Sequence, residues 1–240
     1  TAIDLDDFYV YDKDPRGIEE LYADVLSRHL VAALERPEYL KAEYGVTSSS
    51  DLVRVFFTGQ AIQELARTAE GVARDLLQVF ARAYTHASRS DSAHITVPAV
   101  TTAARDWYES DKQSNLSDAQ HELIRSLVDE VIGSRNARSF LVTREDSNAP
   151  LLRSLIDQRV VHVIRKGYAD KDNPGTRNNI YTLDYGCYVD LKGTQREPKF
   201  EIGEAEDTES AEPPVVPFDD NRRIRRIIVP RKLLFPNGSG

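Results

Sequence analysis

The chain has 240 residues, 40% of them hydrophobic, which is enough to bury the core of one large domain or two small ones. Its formal net charge of −8 is unevenly spread, because residues 1–112 carry 19 acidic and 12 basic side chains, whereas residues 113–198 carry 12 of each. Since DNA phosphates repel net negative charge, the first region is a poor candidate for binding DNA by itself.

Cysteine usage and hydropathy restrict the compartment. The single cysteine, Cys187, excludes an intrachain disulfide and is expected to be a small buried residue in an apolar, strand-like run. This usage fits a reducing environment, so a cytoplasmic protein is expected. No apolar stretch is long enough to span a bilayer and no signal peptide is recognisable, so no membrane partner is expected.

Residues 1–112 predict a helical bundle. A strand-like segment at residues 3–11 precedes Asp14 and Pro15, which predict the start of a helix whose apolar stripe extends to Leu34. Capping or helix-breaking residues punctuate the rest of the region: Ser50 and Asp51, Gly71, and Thr96. The apolar residues between them recur at helical spacing, which predicts four further helices.

Residues 113–196 have a different pattern. The capping box Ser117–Gln120 predicts a helix that ends near Gly133. The segments that follow are a strand (139–142), a helix (150–158), a strand (160–164), a polar loop (166–177) and a strand (178–190). The order helix, strand, helix, strand, loop, strand predicts a winged-helix module.

The last two segments differ in composition. Residues 197–220 are acidic and contain prolines, which predicts a disordered linker. Residues 221–240 form a basic and apolar tail. The tail has two interpretations: a nucleic-acid arm, or an edge strand at 224–229 that extends the wing sheet or pairs with a partner. The structural or partner interpretation ranks first.

Basic residues in the second region are candidates for DNA contacts. The candidates are Arg153 on the predicted recognition helix and Arg165, Lys166, Lys171 and Arg177 around the wing. Asp170 and Asp172 lie among them and weaken the positive field. The helix exposes few side chains for reading bases, so binding would depend mainly on phosphates. A protein partner for the wing remains open, with duplex DNA favoured.

The stretch Gly71-Val72-Ala73-Arg74 is the most informative one for function. An arginine in the first turn of a helix, after a glycine hinge, can direct its guanidinium at a nucleotide phosphate. The alternative interpretation is a surface or capping arginine with only a structural role. No glycine in the chain is followed by lysine, so a phosphate-binding loop of the G-x-x-x-x-G-K-[ST] type is absent and no catalytic residue is assigned.

The remaining chemistry-bearing side chains indicate structure rather than catalysis. The five histidines show no metal-ligand spacing, and no serine lies in a nucleophile motif. His162 alternates with apolar neighbours on a strand, which predicts a core or interface position. Trp107 and Tyr108 are expected to be core anchors or part of a hinge.

Two segments carry a resemblance to a known family. Glu70–Arg74 resembles the sensor-2 motif of AAA+ ATPases of the ORC/Cdc6 type, and Ala103–Tyr108 is similar to the last helix of their lid. The resemblance implies a mainly α fold with a small β part, in which a helical lid bundle (1–112) is followed by a winged-helix domain. It also implies that Arg74, three residues after the hinge at Gly71, senses the terminal phosphate of a nucleotide, and that both residues belong to the nucleotide-sensing site.

The family's ATP-binding loop, acidic metal-binding motif and arginine finger have no match in this chain. The resemblance therefore implies that ATP and Mg²⁺ are held only by an ATPase core outside it, and that this chain alone has no activity. The implied partners are double-stranded DNA at the wing, the ATPase core and other protein subunits. The alternative is a non-enzymatic protein-interaction module in a multi-subunit assembly.

Overall fold

A computed structural model describes Tyr11 and residues 14–36, 38–135, 137–169, 175–191 and 228–235. The chain divides into two compact units, Thr1–Ser110 and Asp111–Gly240. The described part is mainly helical, with one small three-stranded antiparallel sheet, as the sequence predicted for the fold class. The strand predicted at residues 3–11, apart from Tyr11, the linker 197–220 and the first part of the tail lie outside the described residues.

The first unit contains six described helices. Their bounds are α1 Pro15–Ala33, α2 Glu38–Tyr44, α3 Ser49–Phe56, α4 Ala61–Ala69, α5 Ala73–Arg89 and α6 Val97–Trp107. A π-helical turn, Tyr108–Lys112, follows α6. The short helix α2 was not predicted, because its seven residues bury only Leu40 and so carry no periodic apolar stripe.

Local capping explains where these helices begin. Asp14 accepts a hydrogen bond from the Gly17 amide with Pro15 as the first helical residue, and Thr96 caps α6, as predicted. The prediction for α3 was wrong by two residues. Ser48, not Ser50, is the N-cap, and the Asp51 carboxylate closes the capping box onto the Ser48 amide. Hydrogen bonds from the Thr47 hydroxyl and amide, together with those from Ser48, lower the pKa of the Asp51 carboxyl to about 2.

The core of the first unit lies between α1, α3, α4, α5 and α6. It is built from fully buried apolar side chains, among them Ile18, Leu52, Leu65, Leu76 and Val100. α4 is almost entirely buried, including an ion pair between Arg67 and Glu64 at 3.2 Å. Since both partners of this pair are buried, the charges are compensated where they cannot be hydrated.

The second unit is built around the sheet. Its helices are α7 Asp118–Leu127, which continues as a π-helical turn to Gly133, α8 Pro150–Asp157 and α9 Arg231–Leu234. The strands are β1 Ser139–Thr143, β2 Val161–Ala169 and β3 Arg177–Leu183. The capping box at Ser117 and Gln120 is present as predicted. Short 3-10 turns cover 113–115, 146–148, 185–187 and 189–191.

The sheet order is β1-β3-β2, with β3 antiparallel to both neighbours. Phe140 of β1 lies opposite Tyr181 of β3, and their rings stack at 5.7 Å between centroids. The helix α8 connects β1 to β2 along the chain and packs against β2 and α7. Its buried face presents Leu152 and Leu155.

Two strand predictions need correction. The strand predicted over 178–190 ends at Leu183, where the Asp184 side chain accepts from the Gly186 amide and starts a 3-10 turn. Cys187 lies in this turn, half-buried, rather than in a strand. The strand predicted over 160–164 extends to Ala169, because its polar second half pairs with β3 in spite of two register irregularities.

Candidate functional site

The backbone around Arg74 forms a tight corner between α4 and α5. Glu70 and Gly71 both have positive φ, at 44° and 88°, which ends α4 and turns the chain sharply. α5 then begins at Ala73, with Val72 as an N-cap that contributes no side-chain hydrogen bond. Arg74 is therefore the second residue of a 17-residue helix, and its side chain is exposed.

The guanidinium of Arg74 lies against an aromatic ring. Its Cζ is 5.5 Å from the centroid of Trp107, the last residue of α6. Arg82, two turns further along α5, places its own Cζ 4.7 Å from the same ring. Both distances are within the range of cation–π attraction. One indole thus contacts two guanidinium groups from a single helix.

Trp107 is itself fixed in the bundle. The side chain is 6% exposed, and among the described residues its indole Nε1 is buried without a hydrogen-bond partner. Arg82 is held from the other side, because its Nη1 donates to the Gln78 side chain at 2.7 Å. The ring therefore gives Arg74 a rigid surface to pack on. Sequence reasoning did not identify Arg82, because the ring that it shares with Arg74 comes from another helix.

The predicted wing residues occupy exposed positions in the second unit. Arg153 is on α8, Arg165 and Lys166 are on β2, and Arg177 is the first residue of β3. Arg165 packs over the Tyr168 ring at 5.9 Å, and Arg177 donates to the Gly167 carbonyl at 3.2 Å. Lys171 lies outside the described residues, as do Asp170 and Asp172.

An additional cation lies beside Arg177. Arg144 follows β1 directly, is exposed, and its backbone amide donates to the Arg177 carbonyl at 2.8 Å. Arg144 and Arg177 are therefore opposite each other at the end of the β1–β3 pair, where like charges repel. An anion between them would relieve this repulsion. Sequence reasoning missed Arg144 because its proximity to Arg177 depends on the register of β1 with β3.

A buried charge cluster lies in the interior of the second unit. The Lys112 ammonium donates to Asp184 Oδ2 at 2.6 Å, and His162 Nε2 lies 3.0 Å from the same oxygen. All three side chains are almost fully buried. Burial alone would raise the pKa of the Asp184 carboxyl, but Lys112 and His162 together hold this pKa well below its usual range.

The contact with Asp184 explains how a polar side chain such as His162 can be a core residue, 4% exposed. Its surroundings leave no open face for a substrate. Among the described residues, no group of three His, Cys, Asp or Glu side chains is arranged to hold a metal ion. None of the described helices is both long and apolar enough to cross a bilayer.

Comparison with protein-family models, with curated proteins and with solved structures finds no match to this chain. Two surfaces of the described residues are therefore the candidates for function. The first is the Arg74 cluster, defined as Arg74, Arg82 and Trp107. The second is the wing surface, defined as the exposed cations Arg144, Arg153, Arg165, Lys166 and Arg177.

Proposed function

We propose that this chain is the C-terminal lid and winged-helix module of an ORC/Cdc6-like AAA+ ATPase. In this proposal the Arg74 cluster responds to the terminal phosphate of ATP, which a separate ATPase core binds together with Mg²⁺. The second unit is the winged helix, which contacts duplex DNA. The chain alone contributes no catalytic residue.

The observation that carries the proposal is the position of Arg74. A guanidinium that senses phosphate has to be solvent-accessible, rigidly oriented and close to the positive end of a helix. Arg74 is exposed in the first turn of α5 and packs on a buried tryptophan.

The topology of the second unit supports the DNA part of the proposal. An antiparallel sheet in the order β1-β3-β2, with a helix between β1 and β2, is the arrangement expected of a winged helix. The β2–β3 hairpin would be the wing and α8 the helix nearest the duplex. Arg153 is the long polar side chain that α8 exposes, and Gln158 follows the helix half-buried, so affinity would come from phosphates rather than from base reading.

The nucleotide part is tested by Arg74→Ala and Arg74→Lys in the protein encoded by the complete reading frame. Lysine keeps the charge but lacks the planar, bidentate guanidinium, so both variants should weaken the preference for ATP over ADP, alanine more strongly. Arg89→Ala is the matched control, since Arg89 is an exposed arginine in the last turn of the same helix. Unchanged nucleotide preference in both Arg74 variants would refute a phosphate-sensing role.

The DNA part is tested by fluorescence anisotropy with a labelled duplex at low salt. Arg165→Glu with Lys166→Glu should abolish binding, because two positive charges become negative on one strand. Arg125→Glu with Arg135→Glu, two exposed arginines of the same unit outside the wing surface, is the control for the same change of net charge. Equal losses for the control and the wing variant would indicate a non-specific charge effect and contradict binding through the wing.

A protein-interaction module is the second candidate. Exposed large apolar side chains favour it, namely Val31, Leu34, Tyr39, Tyr44 and Tyr84 in the first unit. Tyr39 and Tyr44 contact each other edge to face at 6.2 Å on α2. Such residues are typical of protein interfaces. Loss of a partner on Tyr39→Ser with Tyr44→Ser, with DNA binding absent, would favour this candidate.

A further inference from the structure

The outer edge of β1 carries a segment that is distant in sequence. β1 is an edge strand, because the sheet order places it beside β3 alone. Ile228 forms a parallel bridge with Leu141 on the open side of β1, and the Val229 amide donates to the Leu141 carbonyl at 2.9 Å. The start of the segment 228–235 thus pairs with a backbone carbonyl that an edge strand would otherwise leave open.

Side chains anchor this segment at two further points. Val229 and Leu234 are 4% and 1% exposed, and α9, which contains Leu234, packs against α7. Arg231 donates through Nη1 to Asp146 Oδ1 at 2.7 Å. The segment therefore combines strand pairing, two apolar anchors and one ion pair, which is the usual composition of a linear peptide bound to a sheet edge.

The groups that receive the segment also have hydrogen-bond partners outside it. Asp146 Oδ2 accepts from the Thr143 hydroxyl at 2.9 Å, and the Asp146 amide donates to the same hydroxyl at 3.2 Å. β1 is paired along its whole length with β3, from Ser139 to Thr143. β1 therefore has β3 as its hydrogen-bonded partner. The Asp146 carboxylate that binds Arg231 is oriented by its bond to Thr143 within the turn.

We propose that the edge of β1, the Asp146 carboxylate and the adjoining face of α7 form a docking site for a linear peptide. Its occupant is residues 228–235 of this chain, bound as a tethered ligand that can detach while the second unit stays folded. The site recognises a residue that pairs in parallel with β1. Val-Pro-Arg follows this residue in the peptide, and a leucine lies three residues beyond the arginine. This is a binding site separate from the wing surface.

Release of the segment would change the charge next to α8. Asp146 begins the 3-10 turn that leads into this helix, and Arg231 neutralises it in the docked state. Without Arg231, the carboxylate adds a negative charge close to Arg144 and to the start of α8. Occupancy of the docking site therefore favours contact between this end of the unit and an anion, and an empty site opposes it.

The test uses the whole chain with a protease site placed within residues 205–212. After folding and cleavage, the released end is exchanged against a fluorescein-labelled synthetic peptide of residues 226–236. We expect saturable binding of the peptide to the cleaved chain and much weaker binding to the uncleaved chain, because the tether raises the local concentration of the resident segment.

Substitutions in the peptide identify the contacts. Arg231→Glu in the peptide should weaken binding about tenfold or more, whereas Lys232→Glu, which inverts the charge of the exposed neighbouring residue, should change it little. Asp146→Lys in the chain should restore binding of the Arg231→Glu peptide, provided that circular dichroism shows the variant folded.

Three results would overturn the proposal. One is a cleaved chain that stays folded yet binds no peptide. Another is equal binding of the Arg231→Glu and Lys232→Glu peptides. The third is unfolding of the second unit when the cleaved end is washed away, detected as loss of amide-exchange protection in β1 and β3, which would make the segment part of the core.

Discussion

The buried carboxylate of Asp184 links three parts of the second unit that are far apart in sequence. Its Oδ2 meets Lys112 Nζ at 2.6 Å and His162 Nε2 at 3.0 Å, while Oδ1 accepts from the Gly186 amide at 3.0 Å. We predict that Asp184→Asn destabilises this unit by about 3–5 kcal/mol, because the amide cannot balance the buried charge of Lys112.

The pH dependence follows from the direction of the pKa shift. The pKa of the Asp184 carboxyl is lower in the folded unit than in the unfolded chain, so its contribution is complete above the unfolded value, about 4. That contribution is lost as the pH falls further, toward the folded pKa. The difference in unfolding free energy between wild type and Asp184→Asn should therefore be constant above about pH 5 and shrink below about pH 4.

The assay is urea unfolding followed by far-UV circular dichroism, with amide exchange of β1 and β3 peptides to localise the effect. The single tryptophan, Trp107, lies in the first unit, so its emission provides an internal reference for the unit that should not change. Asp157→Asn, an exposed aspartate on α8, is the control and should stay within about 0.5 kcal/mol of wild type.

A second substitution separates the effect of the buried charge from the effect of side-chain packing. Lys112→Met combined with Asp184→Asn removes both charges and should recover most of the lost stability, because a neutral, well-packed pair avoids the cost of desolvating the ammonium. A buried counter-charge role for Asp184 would be excluded if Asp184→Asn behaved like Asp157→Asn, or if the double variant were as unstable as the single one.

Further predictions concern the two proposed surfaces. Arg74→Ala should cost less than about 1 kcal/mol of unfolding free energy but shift the Trp107 emission, and an unshifted spectrum would exclude the contact with the ring. Duplex binding should weaken with salt with a log–log slope no steeper than about −5, because the described wing surface offers five cations, and a steeper slope would require other contacts. The purified chain should not hydrolyse ATP, and Mg²⁺-dependent turnover that a substitution within the chain abolishes would contradict this expectation.

Local sequence signals predicted many of the element boundaries. The caps at Asp14, Thr96 and Ser117 and the break at Gly71 all lie where the pattern placed them, because each depends on hydrogen bonds or dihedral angles within a few residues. Predictions failed where pairing between distant segments decides the outcome. The polar end of β2 is a strand only because β3 lies beside it.

In the candidate site, too, local features could be predicted from the sequence and tertiary contacts could not. The exposed position of Arg74 at the start of a helix could be read from the sequence, since glycine and the following apolar periodicity define the helix. Its contact with Trp107 could not, because the ring comes from α6 and meets α5 through tertiary packing. The pairing of Lys112 with Asp184 could not be predicted from the sequence either, because 72 residues separate the two.

The most direct test of the proposed function measures ATP and ADP affinity in the protein encoded by the complete reading frame, with and without Arg74→Ala. An arginine that contacts the terminal phosphate should weaken ATP binding when it is removed and leave ADP binding nearly unchanged, because ADP lacks that phosphate. A selective loss of ATP affinity is therefore the expected result. Equal affinities of both nucleotides for wild type and variant, or the absence of nucleotide binding, would contradict it.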